Sequence, residues 1–131
     1  MITAVDTNIL LDFFTADPQF GPTSIQLLQD AASAGCLIVC DVVFAEISSS
    51  FQSSQTASAA LNQLGVHFDA LGEEAAHLAG HTFLQYRKTG GPRTRVVADF
   101  LIGAHALIQS ERLLTRDRGY YRTYFPSLAI L

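Results

Sequence analysis

Four acidic residues stand where an ionised side chain is costly unless it has a function. Asp6 and Asp117 each come just after a short apolar run typical of a β-strand, and Glu46 and Asp99 lie within apolar segments typical of helices. An unpaired carboxylate among apolar residues is unfavourable, and open parallel sheets bind ligands outside the carboxyl ends of their strands. The positions therefore predict that these acids converge on one site.

Converging carboxylates would hold a divalent cation. Without one the four groups would repel one another, and some would take up protons. Mg²⁺ or Mn²⁺ removes this conflict because such hard ions take oxygen ligands, and Mg²⁺ readily shares its coordination shell with substrate phosphates. The predicted chemistry is hydrolysis of a phosphodiester bond by a metal-activated water. The alternative is that two or three of the acids are helix caps or members of ion pairs.

The helix that carries Asp99 has an apolar stripe on another face. At about 100° per residue the stripe comprises Val97, Leu101, Ala104 and Ile108. Asp99 points away from it, and the small residues Gly103 and Ala106 leave space for a ligand beside the carboxylate. This arrangement favours a site over a core position.

The acids must be positioned by alternating strands and helices. The predicted strands are Ile2–Val5, Cys36–Cys40, Val66–Leu71, Arg112–Leu114 and Leu128–Leu131. The predicted helices run from Asn8 to Phe14, from Pro22 to about Ala34 with Gly35 as cap, onward from a cap at Asp41, from a cap at Thr56 to Gly65, from Glu73 to about Lys88, and from Thr94 or Arg95 to Gln109. Such alternation predicts one α/β domain over residues 1–131, with a parallel sheet covered on both faces.

Charge is distributed unevenly along the chain. Residues 1–86 contain nine acidic and no basic residues, whereas residues 87–122 contain all eight basic and three acidic residues. This asymmetry suggests a polyanionic partner, although a solvated basic surface is an equal alternative. No segment approaches the roughly 18 apolar residues of a membrane span, and no basic residue precedes the first apolar run. We expect a cytoplasmic protein.

Several other conspicuous residues are predicted to lie outside the site. His77 and His81 have the spacing of helical zinc ligands but lack a third ligand, which favours a surface pair. His105 is predicted to be structural, and Asp12 to be exposed near a helix end. The two cysteines, Cys36 and Cys40, are expected to be buried as hydrophobic residues.

Four segments in this order resemble the PIN-domain family, most closely its VapC-type toxins. They are DTNILLD from Asp6 to Asp12, the helix around Glu46, RVVADFLIGAHA from Arg95 to Ala106, and LLTRD from Leu113 to Asp117. Each segment alone is weakly specific. Together they extend from the first strand to the last and cover essentially the whole chain.

The resemblance implies a Rossmann-like α/β/α sandwich with a central, mainly parallel sheet. It also implies an Mg²⁺- or Mn²⁺-dependent endoribonuclease that forms a homodimer and is blocked by a VapB-type antitoxin. The positions that match the family's acidic quartet are Asp6, Glu46, Asp99 and Asp117. Asn8 and Thr115 match polar positions that support these carboxylates.

Basic residues adjoin two of the four acids. Arg95 precedes Asp99 by one helical turn, and Arg116 adjoins Asp117. The residues predicted to hold the RNA backbone are Arg95, Arg116, Lys88 and Arg93. Such contacts are salt-sensitive and mostly blind to sequence. The alternative for any one of them is a solvated surface charge. The tyrosines at 120, 121 and 124 would stack on bases or, more commonly at this spacing, pack internally.

Two other functions are compatible with acids at strand ends. A phosphoryl-transfer enzyme or receiver domain is disfavoured because Asn8, not a second aspartate, follows Asp6 by two positions, and because Lys88, the only lysine, lies at a helix end. A non-catalytic module that binds only RNA or a partner is the second alternative. The intact acidic quartet argues against it.

Overall fold

Within the residues that the structure describes, the sheet is entirely parallel and has four strands. The computed structural model describes residues 1–91 and 96–131. Its strands are β1 (Ile2–Val5), β2 (Cys36–Val39), β3 (Val66–Phe68) and β4 (Arg112–Leu114). Their order is β3-β2-β1-β4, and all three pairings are parallel. The predicted parallel α/β architecture is therefore confirmed.

Helices connect the strands and cover the sheet. Within the described residues they are α1 (Thr7–Phe14), α2 (Gly21–Ala34), α3 (Asp41–Ser48), α4 (Ser54–Gln63), α5 (Glu73–Lys88), α6 (Val97–Gln109) and α7 (Arg118–Tyr124). In the part of the chain that the structure covers, none of them is long and apolar enough to cross a membrane.

The strand order brings two of the predicted acids to the carboxyl ends of neighbouring strands. β1 lies between β2 and β4, and Val5 is in register with Leu114 at the carboxyl ends of β1 and β4. The backbone N–H of Asp6 donates to the carbonyl of Leu114 at 2.9 Å. Because parallel strands end at the same edge, Asp6 and the segment after β4 are neighbours although they are far apart in the chain.

Two helices begin at residues other than those predicted. Cys40, and not Asp41, is the N-cap residue of α3, and the Asp41 carboxylate instead accepts the N–H of Leu71 at 3.1 Å. Ser53 caps α4, with Thr56 as the third helical residue of a capping box. In that box the two side chains satisfy each other's backbone N–H groups, which fixes the start of the helix one turn earlier than Thr56 suggested.

The end of the chain also differs from the prediction. Residues 128–131 form no strand but a single bridge between Leu113 and Ile130, which lies along the free edge of β4. Helix α7, with Gly119 as its second residue, was not predicted. The predicted start of α6 at Thr94 or Arg95 lies outside the described residues, whose part of this helix begins at Val97.

An aromatic cluster packs α5, α6 and α7 together. Phe100 of α6 is buried and meets five rings: Phe83, Tyr86, Tyr120, Tyr124 and Phe125. All five of these pairs are edge-on or tilted, a favourable arrangement for aromatic quadrupoles. Tyr120 and Tyr124 therefore pack internally. The prediction for the cysteines is half right, since Cys40 is buried and Cys36 is exposed.

Candidate functional site

Asp6 is the buried centre of a hydrogen-bonded group at the carboxyl end of β1. Its side chain is 5% exposed. Oδ1 accepts the backbone N–H of Thr7 at 2.7 Å, and Oδ2 accepts the hydroxyl of Thr115 at 2.7 Å. Asn8 Nδ2 donates to the same Oδ2 at 3.3 Å. One carboxylate is thus held by donors from α1 and from the segment that follows β4.

These donors do not fully compensate for the burial of Asp6. The pKa of Asp6 is raised from 3.8 to about 6, mainly by burial and to a smaller extent by the negative charge of Glu46. Hydrogen bonds from Thr115, Thr7 and Tyr121 act in the opposite direction and lower this pKa. A carboxylate in this state gains stability from any nearby positive charge.

Tyr121 is a site residue that the sequence did not distinguish from its neighbours. It is buried on α7, and its side chain is a hydrogen-bond partner of Asp6. Burial, followed by the charges of Asp6 and Asp99 among the other causes, raises the pKa of Tyr121 well above its usual range. The phenol therefore stays protonated and donates to Asp6. Helical spacing of aromatic residues was its only signal, and that pattern is equally typical of packing.

Asn8 and Thr115 connect Asp6 to Asp117. The Thr115 hydroxyl oxygen accepts Asn8 Nδ2 at 3.4 Å and the backbone N–H of Asp117 at 3.0 Å. Asn8 Oδ1 accepts the backbone N–H of Arg116 at 3.2 Å. Asn8 and Thr115 thus contact the carboxylate that they were predicted to support, and Asp117 directly precedes α7.

Glu46 and Asp99 approach this centre from α3 and α6. Glu46 is exposed, and its Oε1 accepts the hydroxyl of Thr7 at 2.6 Å. Asp99 is half-buried, and its Oδ2 accepts the backbone N–H of Val96 at 3.2 Å, so it also caps its own helix. The capping alternative therefore applies to Asp99 in part, while its charge still acts on Tyr121.

The four carboxylates do not form a ready-made ligand cluster. Among the described residues, no three or more His, Cys, Asp or Glu side chains are close enough to hold one metal ion. Asp6 is joined to Glu46 through Thr7 and to Asp117 through Thr115. Acids without a counter-ion are expected to stand apart, because their charges repel. The donor set is nevertheless one of carboxylate oxygens around a strongly desolvated Asp6, which fits a hard divalent cation.

Asp12 differs from its prediction as an exposed helix-end residue. It is 4% exposed and pairs with Arg116, whose Nε and Nη2 donate to the two carboxylate oxygens at 2.6 and 3.0 Å. Ser24 also donates to Asp12 at 2.7 Å. The guanidinium predicted to hold RNA is thus engaged within the protein.

Gly103 does not leave space for a ligand, as its small size suggested. A Cβ at this position would overlap the ring of Phe125, which fills the space beside the helix. Gly103 is therefore needed for close packing of Phe125 against α6. The expected open space beside Asp99 at this position is occupied.

The remaining predicted residues divide by what the structure describes. Lys88 is exposed at the end of α5, whereas Arg93 and Arg95 lie outside the described residues. His105 is buried, and its Nε2 lies 2.9 Å from Asp69 Oδ2, in agreement with a structural role. His77 and His81 are exposed and their rings stack at 6.5 Å.

Comparison with known proteins places this fold in one family. The PIN-domain family model matches residues 3–126. VapBC2 from Rickettsia felis, solved bound to a promoter DNA fragment, is similar with 19% identity and a TM-score of 0.72, over 100% of this chain and 98% of that one. VapBC-1 from nontypeable Haemophilus influenzae has 19% identity and a TM-score of 0.73, over 100% and 97% of the two chains.

A third similar structure is a toxin described by its target. VapC20 from Mycobacterium tuberculosis, a sarcin-ricin loop cleaving toxin, has 14% identity and a TM-score of 0.65, over 90% of this chain and 93% of that one. A search of curated protein sequences finds no match. At these identities the structural likeness establishes the shared fold.

Proposed function

The chain belongs to the PIN-domain family, and on that premise we propose that it is an endoribonuclease of the VapC toxin type, dependent on Mg²⁺ or Mn²⁺. The observation that carries the proposal is the environment of Asp6. Its carboxylate is buried with a pKa raised to about 6, and it is held by three side chains that come from two separate parts of the chain. A purely structural acid at a strand end would not require so many donors around an unpaired charge.

In this proposal the metal is held by Asp6, Glu46, Asp99 and Asp117. A bound divalent ion would lower the pKa of a water and stabilise charge on the phosphodiester oxygens. The chain's own polar residues orient the ligands. Thr115 and Asn8 fix Asp6, and Thr7 fixes Glu46. Such support limits the conformations that the carboxylates can adopt, and so reduces the entropy lost when an ion is bound.

The proposed RNA contacts are made by basic residues that lie, in the sequence, at the end of α5 and in the segment that follows it. Lys88, Arg93 and Arg95 remain in the proposed set. We leave out Arg116, because its guanidinium is paired with Asp12. The contacts would be to phosphates and therefore largely independent of sequence.

The proposed partners are a VapB-type antitoxin and a second copy of the chain. The antitoxin is suggested by the similar structures, which include a toxin–antitoxin complex from Klebsiella pneumoniae. A groove of about 760 Å³ between α3 and α4 offers an apolar surface, with Phe44 and the 55% exposed Phe68 in its lining. An exposed apolar groove is typical of a protein-binding surface. Action on cellular RNA places the proposed activity in the cytoplasm.

The test is cleavage of a structured RNA by purified protein. We expect cleavage with Mg²⁺ or Mn²⁺ and none with EDTA. Asp6→Asn and Asp99→Asn should each lower kcat by at least about 100-fold, which corresponds to roughly 3 kcal/mol of lost transition-state stabilisation. Asp30→Asn is the matched control, since Asp30 is exposed on α2 and its carboxylate accepts a hydrogen bond from Gln26. Full activity in both site variants would overturn the catalytic assignment.

The second candidate is a PIN module that binds RNA or a partner without cleavage. One observation favours it: within the described residues no three acidic, histidine or cysteine side chains are close enough to share an ion. This candidate predicts RNA binding without cleavage at every metal concentration. It also predicts no effect of Mg²⁺ or Mn²⁺ on thermal stability, whereas the nuclease proposal predicts a rise in Tm.

A further inference from the structure

Arg116 lies between two proposed site residues, Thr115 and Asp117, and its side chain contacts α1 and the loop that follows it. Nε donates to Asp12 Oδ2 at 2.6 Å, and Nη2 donates to Asp12 Oδ1 at 3.0 Å. The guanidinium carbon lies 4.0 Å from the centre of the Phe20 ring. Two parallel hydrogen bonds and an aromatic face fix the orientation of the planar guanidinium, which no lysine could reproduce.

Asp12, the partner of Arg116, is itself held inside the protein. Asp12 is 4% exposed, and the Ser24 hydroxyl of α2 donates to its Oδ2 at 2.7 Å. Asp12 follows Asn8 by four positions on α1, so the two side chains share a helix face. Asn8 Oδ1 accepts the backbone N–H of Arg116 at 3.2 Å. One face of α1 therefore binds both the backbone and the side chain of Arg116.

We propose, on the basis of the proposed function, that Arg116 is a positioning residue that holds the segment Thr115–Asp117 against α1. The Thr115 hydroxyl donates to Asp6 at 2.7 Å and accepts the N–H of Asp117 at 3.0 Å. A shift of this segment would withdraw that hydroxyl from Asp6 and change the direction of Asp117. The charge of Arg116 thus pairs with Asp12, and this pair maintains the geometry of Asp6 and Asp117, two of the proposed metal ligands.

The first test separates positioning from RNA binding. In Arg116→Gln we expect the affinity of the RNA-free protein for Mn²⁺ to fall at least about fivefold and kcat at least about tenfold, while KM for RNA changes less than about twofold. A residue that held RNA phosphates would instead raise KM, keep kcat and make KM less dependent on salt. Arg122→Gln, at an exposed position in the last turn of α7, is the matched control and should leave all three values unchanged.

The second test separates positioning from stability. Arg116→Gln leaves Asp12 buried without its counter-charge, so its Tm should fall. Adding Asp12→Asn removes that charge and should restore Tm, but it should restore neither Mn²⁺ affinity nor kcat. Because the two residues act as one unit, kcat of the double variant should be no lower than that of Arg116→Gln. Recovery of kcat together with Tm would overturn the positioning role.

The outcomes also distinguish this inference from the function on which it rests. Wild-type protein that neither binds Mn²⁺ nor cleaves RNA would contradict the proposed function and, with it, the role of Arg116. Wild-type protein that does both, beside an Arg116→Gln variant with unchanged Mn²⁺ affinity and kcat, contradicts the role of Arg116 alone.

Discussion

The hydroxyl of Thr7 donates a hydrogen bond of 2.6 Å to Glu46 Oε1, so the residue after Asp6 holds a glutamate that belongs to another helix. The same Thr7 donates its backbone N–H to Asp6 Oδ1 at 2.7 Å. Two predicted metal ligands are therefore linked through a single residue at the start of α1. This contact fixes an exposed side chain that would otherwise sample several rotamers.

Replacement of Thr7 by valine should reduce activity with little effect on stability. Valine keeps the shape of threonine but cannot donate to Glu46, whose orientation is then lost. We expect kcat at saturating RNA to fall about tenfold, equivalent to roughly 1.4 kcal/mol. Thr7→Ser keeps the hydroxyl and should retain most of the activity. Equal activity of the two variants would show that the bond to Glu46 has no role in catalysis.

Asp6→Asn should stabilise the metal-free protein at neutral pH while it removes activity. Burial raises the pKa of Asp6 from 3.8 to about 6, so the folded state binds the proton more tightly than the unfolded state. The contribution of this bound proton to the free energy of unfolding is fully present below pH 4 and is lost as pH rises through about 6. The ionised carboxylate then costs roughly 3 kcal/mol.

Urea unfolding in EDTA measures this effect. At pH 7.5 we expect Asp6→Asn to gain about 2 kcal/mol, because the amide avoids the cost of ionisation but accepts fewer hydrogen bonds. At pH 3.5 the acid and the amide are both neutral, so the gain should disappear. A lower stability of the variant at pH 7.5 would contradict the raised pKa of Asp6.

The parts of the site that could be predicted from sequence are those marked by local pattern. Asp6 follows a run of apolar residues, which predicts both the strand and its end, and parallel pairing then brings the next strand end beside it. The burial of Asp12 depends on Arg116, a residue 104 positions away, and no local pattern signals that pairing. The aromatic spacing of α7 likewise could not distinguish Tyr121, bonded to Asp6, from its packed neighbours.

Tyr121→Phe should raise the pKa of Asp6. The hydrogen bond from Tyr121 lowers this pKa in the wild-type protein. Without that bond, the effect of burial raises the pKa of Asp6 further. The titration midpoint of the Asp6 carboxyl carbon, measured by NMR in EDTA, should move to a pH above the wild-type midpoint near 6. Activity should fall more at pH 6 than at pH 8, because less Asp6 is ionised at the lower pH.

The control for this experiment is Tyr124→Phe. Tyr124 packs on Phe100 with ring centres 5.8 Å apart and is half-buried on the same helix. Removal of the Tyr124 hydroxyl should leave the titration midpoint of Asp6 unchanged. The same midpoint in Tyr121→Phe and wild type would rule out a direct bond between Tyr121 and Asp6.

Gly103→Ala should destabilise the fold because α6 has no room for a side chain at this position. The added Cβ would overlap the Phe125 ring, and Phe125 is itself buried. Overpacking of this kind typically costs about 1–3 kcal/mol. Gly80→Ala, inside α5 with no atom near the new Cβ, should instead be neutral or stabilise by up to about 1 kcal/mol. Urea unfolding of both variants provides the measurement.

Phe125→Leu, which has a smaller side chain, should relieve the overlap that Gly103→Ala creates. Alone, Phe125→Leu is expected to lower the free energy of unfolding, since it removes buried ring contacts. Combined with Gly103→Ala, it should cost less than the sum of the two single changes, because the added methyl group occupies part of the vacated space. Strict additivity would mean that Gly103 and Phe125 do not pack against each other. In that case the space beside Asp99 would again be open to a ligand, as the sequence first suggested.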